Sequence, residues 1–488
     1  MTRLAQHSLV FVLFGAPSLL VGCGTSSTIK DDAAPGSADG PAATPDLLAV
    51  PVPDASHDLA PVVPPDAPVG SPTDAADGGD GAAELGAPAD SLLANCDFQG
   101  GSVLSDLTLT KACSPYHIRD FIQVNSGAVL TIQPGVTLGF EGGTGLSVGN
   151  ADMGTLVAVG TAQDPITFTS ASSPPLPGDW GAIRLYDGTT NGTKIAYARL
   201  DFCGADRSGC IVGDGAPPNA VTIDHVTIDQ VGPDSDGILQ WDTDSNFIIT
   251  NSTFSNIPDG QYAISVPAPS FAGIGANNTF NGSAMIEIAG GVISSTTSWV
   301  DPGTAIAVTD SLWIEGSNSP VLTIGAGMTL MFAASNPPLQ LSVGYGAAGN
   351  LVIAGAPGKP VELTSLAAAP DQGDWVGVEV WADGAAHISY ADISYAGSDS
   401  LGGGDLILEN GNSTSQIVVD HSSFTYSLGY GIYLDCADPA VTSQATVTLN
   451  AGITYAFNES DMTNSGNPSN NVGPGLSGPD CSIHHHHH

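Results

Sequence analysis

The sequence predicts an all-β chain wound as a repetitive solenoid, preceded by an export signal and a long unstructured segment. Three observations carry this. From about Cys96 onward, short runs of Val, Ile, Leu, Thr and Phe alternate with Gly, Asn, Asp, Ser and Pro, as strands alternate with turns. No stretch sustains a helical period. A block of nearly two hundred residues occurs twice, its landmarks shifted by 192 to 196 positions.

In chain order, Arg3 precedes the apolar run Leu9-Val10-Phe11-Val12-Leu13-Phe14, which the pair Ala16-Pro17 ends. That run is shorter than the ~20 residues a spanning helix needs and has the layout of a secretory signal over 1–22. Leu20-Val21-Gly22-Cys23 resembles a bacterial lipobox, and the resemblance implies acylation of Cys23. Several acyl chains on one cysteine hold a protein on a membrane stably. The expected location is therefore exported and lipid-anchored, at the outer membrane or cell surface. Residues 23–92 are Ala, Pro, Asp, Gly and Ser with almost no large apolar side chain. Such a segment buries too little surface to offset its ordering entropy and reads as a disordered tether with a reach on the order of 100 Å.

Export sets the reading of the cysteines. Removing Cys23 from seven leaves Cys96, Cys113, Cys203, Cys210, Cys436 and Cys481, an even number in an oxidising compartment. Six cysteines allow fifteen pairings. Sequence proximity favours Cys96 with Cys113 and Cys203 with Cys210, leaving Cys436 for Cys481. The net charge of −40, from 49 acidic and 9 basic residues, excludes nucleic acid as a partner. Beyond Arg207 the only lysine or arginine is Lys359, so no cationic groove is expected in the second half. The terminal run His484 to His488 reads as an expression tag.

The duplication divides the remainder into a first unit, 93–290, and a second, 291–483. Val129-Leu130-Thr131-Ile132 returns as Val321-Leu322-Thr323-Ile324, and Gly178-Asp179-Trp180 returns as Gly373-Asp374-Trp375. Ile195-Ala196-Tyr197-Ala198 returns as Ile388-Ser389-Tyr390-Ala391, and Asp224-His225 as Asp420-His421. Within each unit β runs recur every two or three dozen residues, and the Asn-Gly or Asp-Gly turns of a hairpin meander are rare between them. Parallel coils explain this spacing. Asn251-Ser252-Thr253-Phe254 and Asp420-His421-Ser422-Ser423-Phe424 are similar to coil corners of right-handed parallel β-helices. The order Leu-Thr-Ile, Pro-Ile-Thr-Phe-Thr-Ser, Gly-Asp-Trp, Tyr-Ala resembles bacterial surface proteins with pectate-lyase-like β-helix repeats, over about Cys96 to Cys481.

Candidate chemistry is sparse. Trp180 and Trp375 are read either as glycan-stacking rings or as packing in the stack, the latter favoured because periodic aromatics usually fill cores. In Asp224-His225 and Asp420-His421, strand alternation is expected to turn the two side chains to opposite sides, so that they do not share a proton. The family resemblance implies polysaccharide lyases, which use Arg or Lys beside carboxylate-bound calcium. Arg184, Lys194, Arg199 and Arg207 are the basic candidates, and none sits in a matching motif. Asp234, Asp236, Asp242 and Asp244 supply hard oxygens for calcium, or the paired carboxylates of an inverting glycosidase. No catalytic residue is assigned.

The expectation is a non-enzymatic surface protein that presents an extended β-helix face to glycans, matrix or neighbouring cells. The alternative is a carbohydrate-active enzyme, a polysaccharide lyase or an inverting glycoside hydrolase, of the same fold.

Overall fold

The computed structural model describes residues 93, 94, 96–205, 209–215, 221–241, 247–398, 403–411, 414–436, 445–458 and 481–485. Cys23, Arg207, Asp242, Asp244 and the side chains of Cys436 and Cys481 lie outside the described residues, as do the export signal and most of the tether.

Through most of the chain every third strand returns to the same sheet, and every second one where the long strands Lys194–Asp201 and Val221–Asp229 each run along two sides, so the chain climbs as a three-sided parallel coil. Ile122–Val124, Leu146–Val148 and Ile183–Tyr186 pair in parallel in one sheet, while Ala128–Ile132 and Thr137–Phe140 occupy the other two sides of the same coils. Alternation in each strand sends one set of side chains inward, where they stack coil on coil. One column runs Leu109, Ile132, Ala158, Ile195, Ile223, Ile249, all buried and each aligned with the next. Burying each such isoleucine contributes about 1.5–3 kcal/mol, which a solenoid collects from neighbouring coils only. The expected all-β parallel β-helix is the observed architecture; the described helices are the short 3₁₀ turns Lys111–Cys113 and Ala268–Gly273.

The two copies are not related by simple translation along the stack. A 14-stranded sheet runs from Gly101–Val103 to Thr454–Ala456. In the first copy Thr137–Phe140 lies in the neighbouring 13-stranded sheet, yet its counterpart Thr329–Phe332 lies in the 14-stranded one. The side held by Leu146–Val148 and Ile183–Tyr186 is taken in the second copy by a six-stranded sheet containing Gln340–Val343 and Gly377–Val380. The second copy is turned by one side of the coil.

Two disulfides form as proximity suggested. Cys96–Cys113 closes the first coil, and Cys203–Cys210 is wholly buried at a corner of the first copy. In the second copy Ala396 and Asp405 stand where that corner disulfide stands, and the Ala396 amide donates to Asp405 Oδ1 at 3.3 Å. Asp405 is fully buried, and burial raises its carboxyl well above the ordinary range.

Candidate functional site

The corners carry the polar chemistry. The long strands Lys194–Asp201 and Val221–Asp229 bend at single left-handed residues, Tyr197 (φ 47°) and His225 (φ 54°), and Asn251 (φ 52°) and Asn277 (φ 64°) turn the next coils. An L-residue in this conformation breaks strand alternation, and Asn is among the few that adopt it readily. Its tightness leaves a mark below: a Cβ on Gly160 would lie 2.3 Å from the Tyr197 carbonyl oxygen, and one on Gly355 would lie 1.9 Å from that of Tyr390. Glycine is required at both positions by close approach of backbone.

The bend overturns the expectation for Asp224-His225 and Asp420-His421. His225 Nδ1 lies 3.0 Å from Asp224 Oδ2, and His421 Nδ1 lies 3.1 Å from Asp420 Oδ1. Because the histidine occupies the left-handed corner (φ 54° and 44°), it does not point away from its neighbour as a strand residue does. Each ring also stacks on the tyrosine of the coil before: Tyr197 on His225 at 4.4 Å and Tyr390 on His421 at 4.7 Å. Asp224 accepts from Thr250 Oγ1 and Asn251 Nδ2, both at 2.8 Å. Partial burial pushes this carboxyl up, but hydrogen bonds from Asn251, His225 and Thr250 outweigh it and hold it at about 2. Asp420 is likewise lowered: burial opposes, and Ser389, His421 and His387 prevail.

In the first copy this corner borders an open cavity of about 350 Å³ lined by Pro165, Tyr197, Arg199, His225, Thr227 and Asn251 among others. The Arg199 guanidinium bridges Asp201 at 2.5 Å and Asp229 at 2.7 Å. Partial burial lowers its pKa, but the hydrogen bonds to the two aspartates outweigh this and raise it above the ordinary arginine value. A guanidinium so held stays charged and is unsuited to abstract a proton, while its free face can donate hydrogen bonds. The cavity thus offers an aromatic edge, an imidazole, a primary amide and a fixed cation.

The other predicted residues fall elsewhere. Trp180 and Trp375 are wholly buried, stacked on Phe140 at 4.4 Å and on Phe332 at 4.1 Å, with Nε1 donating to the carbonyls of Asp201 and Ser394. Neither ring has a free face. The adjacent carboxylates are structural too: Asp179 Oδ2 accepts from Ser170 Oγ and the Leu176 amide, and Asp374 Oδ2 from Ser365 Oγ and the Asp371 amide. Arg184 pairs with Asp214 at 3.5 Å on the outer face of the 14-stranded sheet, and Lys194 aligns with Thr222. Among the described residues no three His, Cys, Asp or Glu side chains converge as metal ligands.

Of the four aspartates proposed for calcium, Asp234 is exposed in a left-handed turn, whereas Asp236 is buried and accepts from the Tyr262 amide at 2.7 Å. Desolvation, less the help of that amide and reinforced by Glu287, drives its carboxyl up to about 7. Glu287 accepts from Thr309 Oγ1 at 2.6 Å and from Ser265 Oγ. Sequence reasoning did not find Glu287 or Tyr262, because they meet Asp236 only through the stacking of successive coils.

Comparison with known proteins agrees with this architecture. Residues 101–212 match the family model of the pectate-lyase-like β-helix domain. Over 120 residues, 23% of the chain, it is 44% identical to the protein bark beetle of Drosophila melanogaster. The match spans 4% of that relative's length. No solved structure matches.

Proposed function

We propose that this chain is a lipid-anchored surface protein whose β-helix binds glycan at its corners without turning it over. The observation that carries the reading is the cavity beside the Tyr197–His225 stack, where Arg199 is fixed between Asp201 and Asp229. Sugars are held by ring stacking and by bidentate or charged hydrogen-bond partners, and these groups supply both. Repetition of the Tyr–His–Asp corner at Tyr390, His421 and Asp420 suits multivalent contact with a repeating polymer. The two carboxyls nearest the first corner's cavity, Asp201, which burial raises, and Asp229, whose burial is outweighed by Asn256 and Arg199 so that it is lowered, are both tied to the Arg199 guanidinium.

The test is a screen of the purified chain against plant, algal and bacterial polysaccharides, with product analysis. Binding that weakens at least about tenfold, or 1.4 kcal/mol, in Tyr197→Ala supports the reading. Release of reducing or unsaturated ends sinks it. A second reading, an inverting glycoside hydrolase, is favoured by Asp236 held near 7 beside Glu287. It requires turnover that Asp236→Asn abolishes.

The membrane is the other partner in this proposal. Acylation of Cys23 would place the β-helix at the end of the 23–92 tether, and its net charge would keep nucleic acid away. Cys23→Ala should move the protein from the membrane to the soluble fraction with the melting temperature unchanged; persistence in the membrane fraction refutes the anchor.

A further inference from the structure

The two copies build one corner from different residues. In the first copy the corner that follows Ile122–Val124, Leu146–Val148 and Ile183–Tyr186 carries Asn125, Asn150 and Tyr186, and Asn125 Oδ1 accepts from the Ala151 amide at 3.3 Å. In the second copy the strands are Leu312–Ile314, Gln340–Val343 and Gly377–Val380, and the same positions are Glu315, Tyr345 and Trp381. Glu315 Oε2 accepts from the Gly346 amide at 2.6 Å, as Asn125 accepts from Ala151. The frame of the corner is therefore kept, while an amide has become a carboxylate and an exposed asparagine has become a tyrosine.

Three consecutive coils meet there. The Gly344 amide donates to the Ile314 carbonyl at 3.1 Å and the Trp381 amide to the Val343 carbonyl at 2.9 Å, so Glu315, Tyr345 and Trp381 lie on successive steps ~4.8 Å apart. The Tyr345 and Trp381 rings meet at 76° with centroids 4.7 Å apart and form two walls of an open angle. Tyr345 is 62% exposed. Trp381 is half-buried, and its Nε1 lies inside the protein without a hydrogen-bond partner, so the indole offers a ligand its ring and not its N–H. A Cβ on Gly346 would lie 3.3 Å from both Glu315 carboxylate oxygens, and glycine there sets no side chain over the carboxylate at the foot of the tyrosine. Among the described residues no cation pairs with Glu315, and the second copy's one lysine, Lys359, belongs to the separate turn it forms with Ala356.

We propose that Tyr345, Trp381 and Glu315 bind a quaternary ammonium group. Two rings set at a steep angle attract a cation through the negative potential of their faces, tryptophan most strongly, and the neighbouring carboxylate adds an opposite charge. A sugar would call on the indole N–H, which is buried, whereas a methylated cation asks for no hydrogen bond. A primary ammonium is more strongly hydrated and gains less from the rings. The net charge of −40 raises the local concentration of any cation. This corner is separate from the cavity beside Tyr197 and His225, and the proposal stands whether or not the glycan reading does.

The test is calorimetric titration of the full chain with tetramethylammonium chloride, against ammonium chloride at the same ionic strength. One saturable site for tetramethylammonium, about tenfold weaker or more for ammonium, is expected. Tyr345→Ala should weaken it about fivefold or more, the worth of one ring face, while the melting temperature of this exposed-site variant stays at the wild-type value. Tyr345→Phe should keep the site, because the ring and not the hydroxyl binds, and Glu315→Gln should weaken it and reduce its dependence on salt. A titration of the Cys23→Ala chain with phosphatidylcholine vesicles separates the sources of the group: binding that Tyr345→Ala removes assigns it to a lipid headgroup, and binding of tetramethylammonium alone assigns it to a free solute. The absence of a saturable site overturns the proposal. So does equal binding of ammonium, a site that survives Tyr345→Ala, or one that is lost instead in Tyr197→Ala.

Discussion

Replacing Ala396 and Asp405 by cysteine should install in the second copy the staple that Cys203–Cys210 provides in the first. The positions match in the coil, Cys203 and Cys210 have Cα atoms 5.1 Å apart, and the Ala396 amide already reaches the Asp405 side chain. Residues 396 and 405 are nine apart, so closure removes ~2.7 kcal/mol of unfolded-state entropy in the loop model. Losing Asp405 forfeits its hydrogen bonds from the Ala396 and Thr425 amides, about 1 kcal/mol each. It also removes a wholly buried carboxyl whose Oδ2 has no hydrogen-bond partner, a relief of about 1–3 kcal/mol. These last two nearly cancel, leaving a net gain of about 3 kcal/mol. For a domain of this size that is a rise of roughly 5 °C in melting temperature. The assay compares oxidised double variant with oxidised wild type, alongside a thiol titration of the folded proteins. Two extra free thiols in the variant, or an oxidised variant that melts no higher than wild type, would refute the equivalence of the two corners.

Three further outcomes follow from packing and charge. Trp375→Ala, which empties the space beside Phe332, should cost ~3–5 kcal/mol in chemical denaturation; a loss under about 1 kcal/mol would mean the stack is not part of the core. Gly355→Ala should cost more than Gly358→Ala. The former meets the Tyr390 carbonyl at 1.9 Å, whereas the latter has open space and only its φ of +75° to oppose it, about 1–2 kcal/mol. Stability should have a maximum near pH 4. Asp224, depressed to about 2, contributes stability above its unfolded value that is lost as pH falls through 2. Asp236, raised to about 7, contributes stability present below its unfolded value that is lost as pH rises through 7. Denaturation midpoints across this range should therefore fall between about pH 4 and 7, and Asp236→Asn should flatten that limb.

The fold was legible because its causes are local and repeated. Runs such as Ala128–Ile132 alternate inward and outward, and the inward set is the core. Cys203 and Cys210 are seven residues apart, so proximity alone paired them. The corner was half legible. Asn251 and His421 stood out as turning residues, but the left-handed conformation that brings each histidine to its own aspartate is a backbone fact that residue alternation concealed. Asp236, Tyr262 and Glu287 come from three successive coils, and no local pattern joins them.

Taken alone, the sequence determined that the chain is all-β, that its coils are parallel and that a block was copied once, because periodicity and repetition are properties of the chain read in line. The tertiary structure decided which side of the coil each copied residue occupies. Thr137–Phe140 and Thr329–Phe332 are near repeats, yet they lie in different sheets, because the strands between the copies do not complete a whole number of coils. Register across those coils then fixed which side chains meet: Arg184 aligns with Val212 and reaches Asp214 in one copy, whereas Glu379 aligns with Ile407 in the other. Side-chain identity was in the sequence, but neighbourhood in a solenoid is set by the accumulated turn of every coil beneath it.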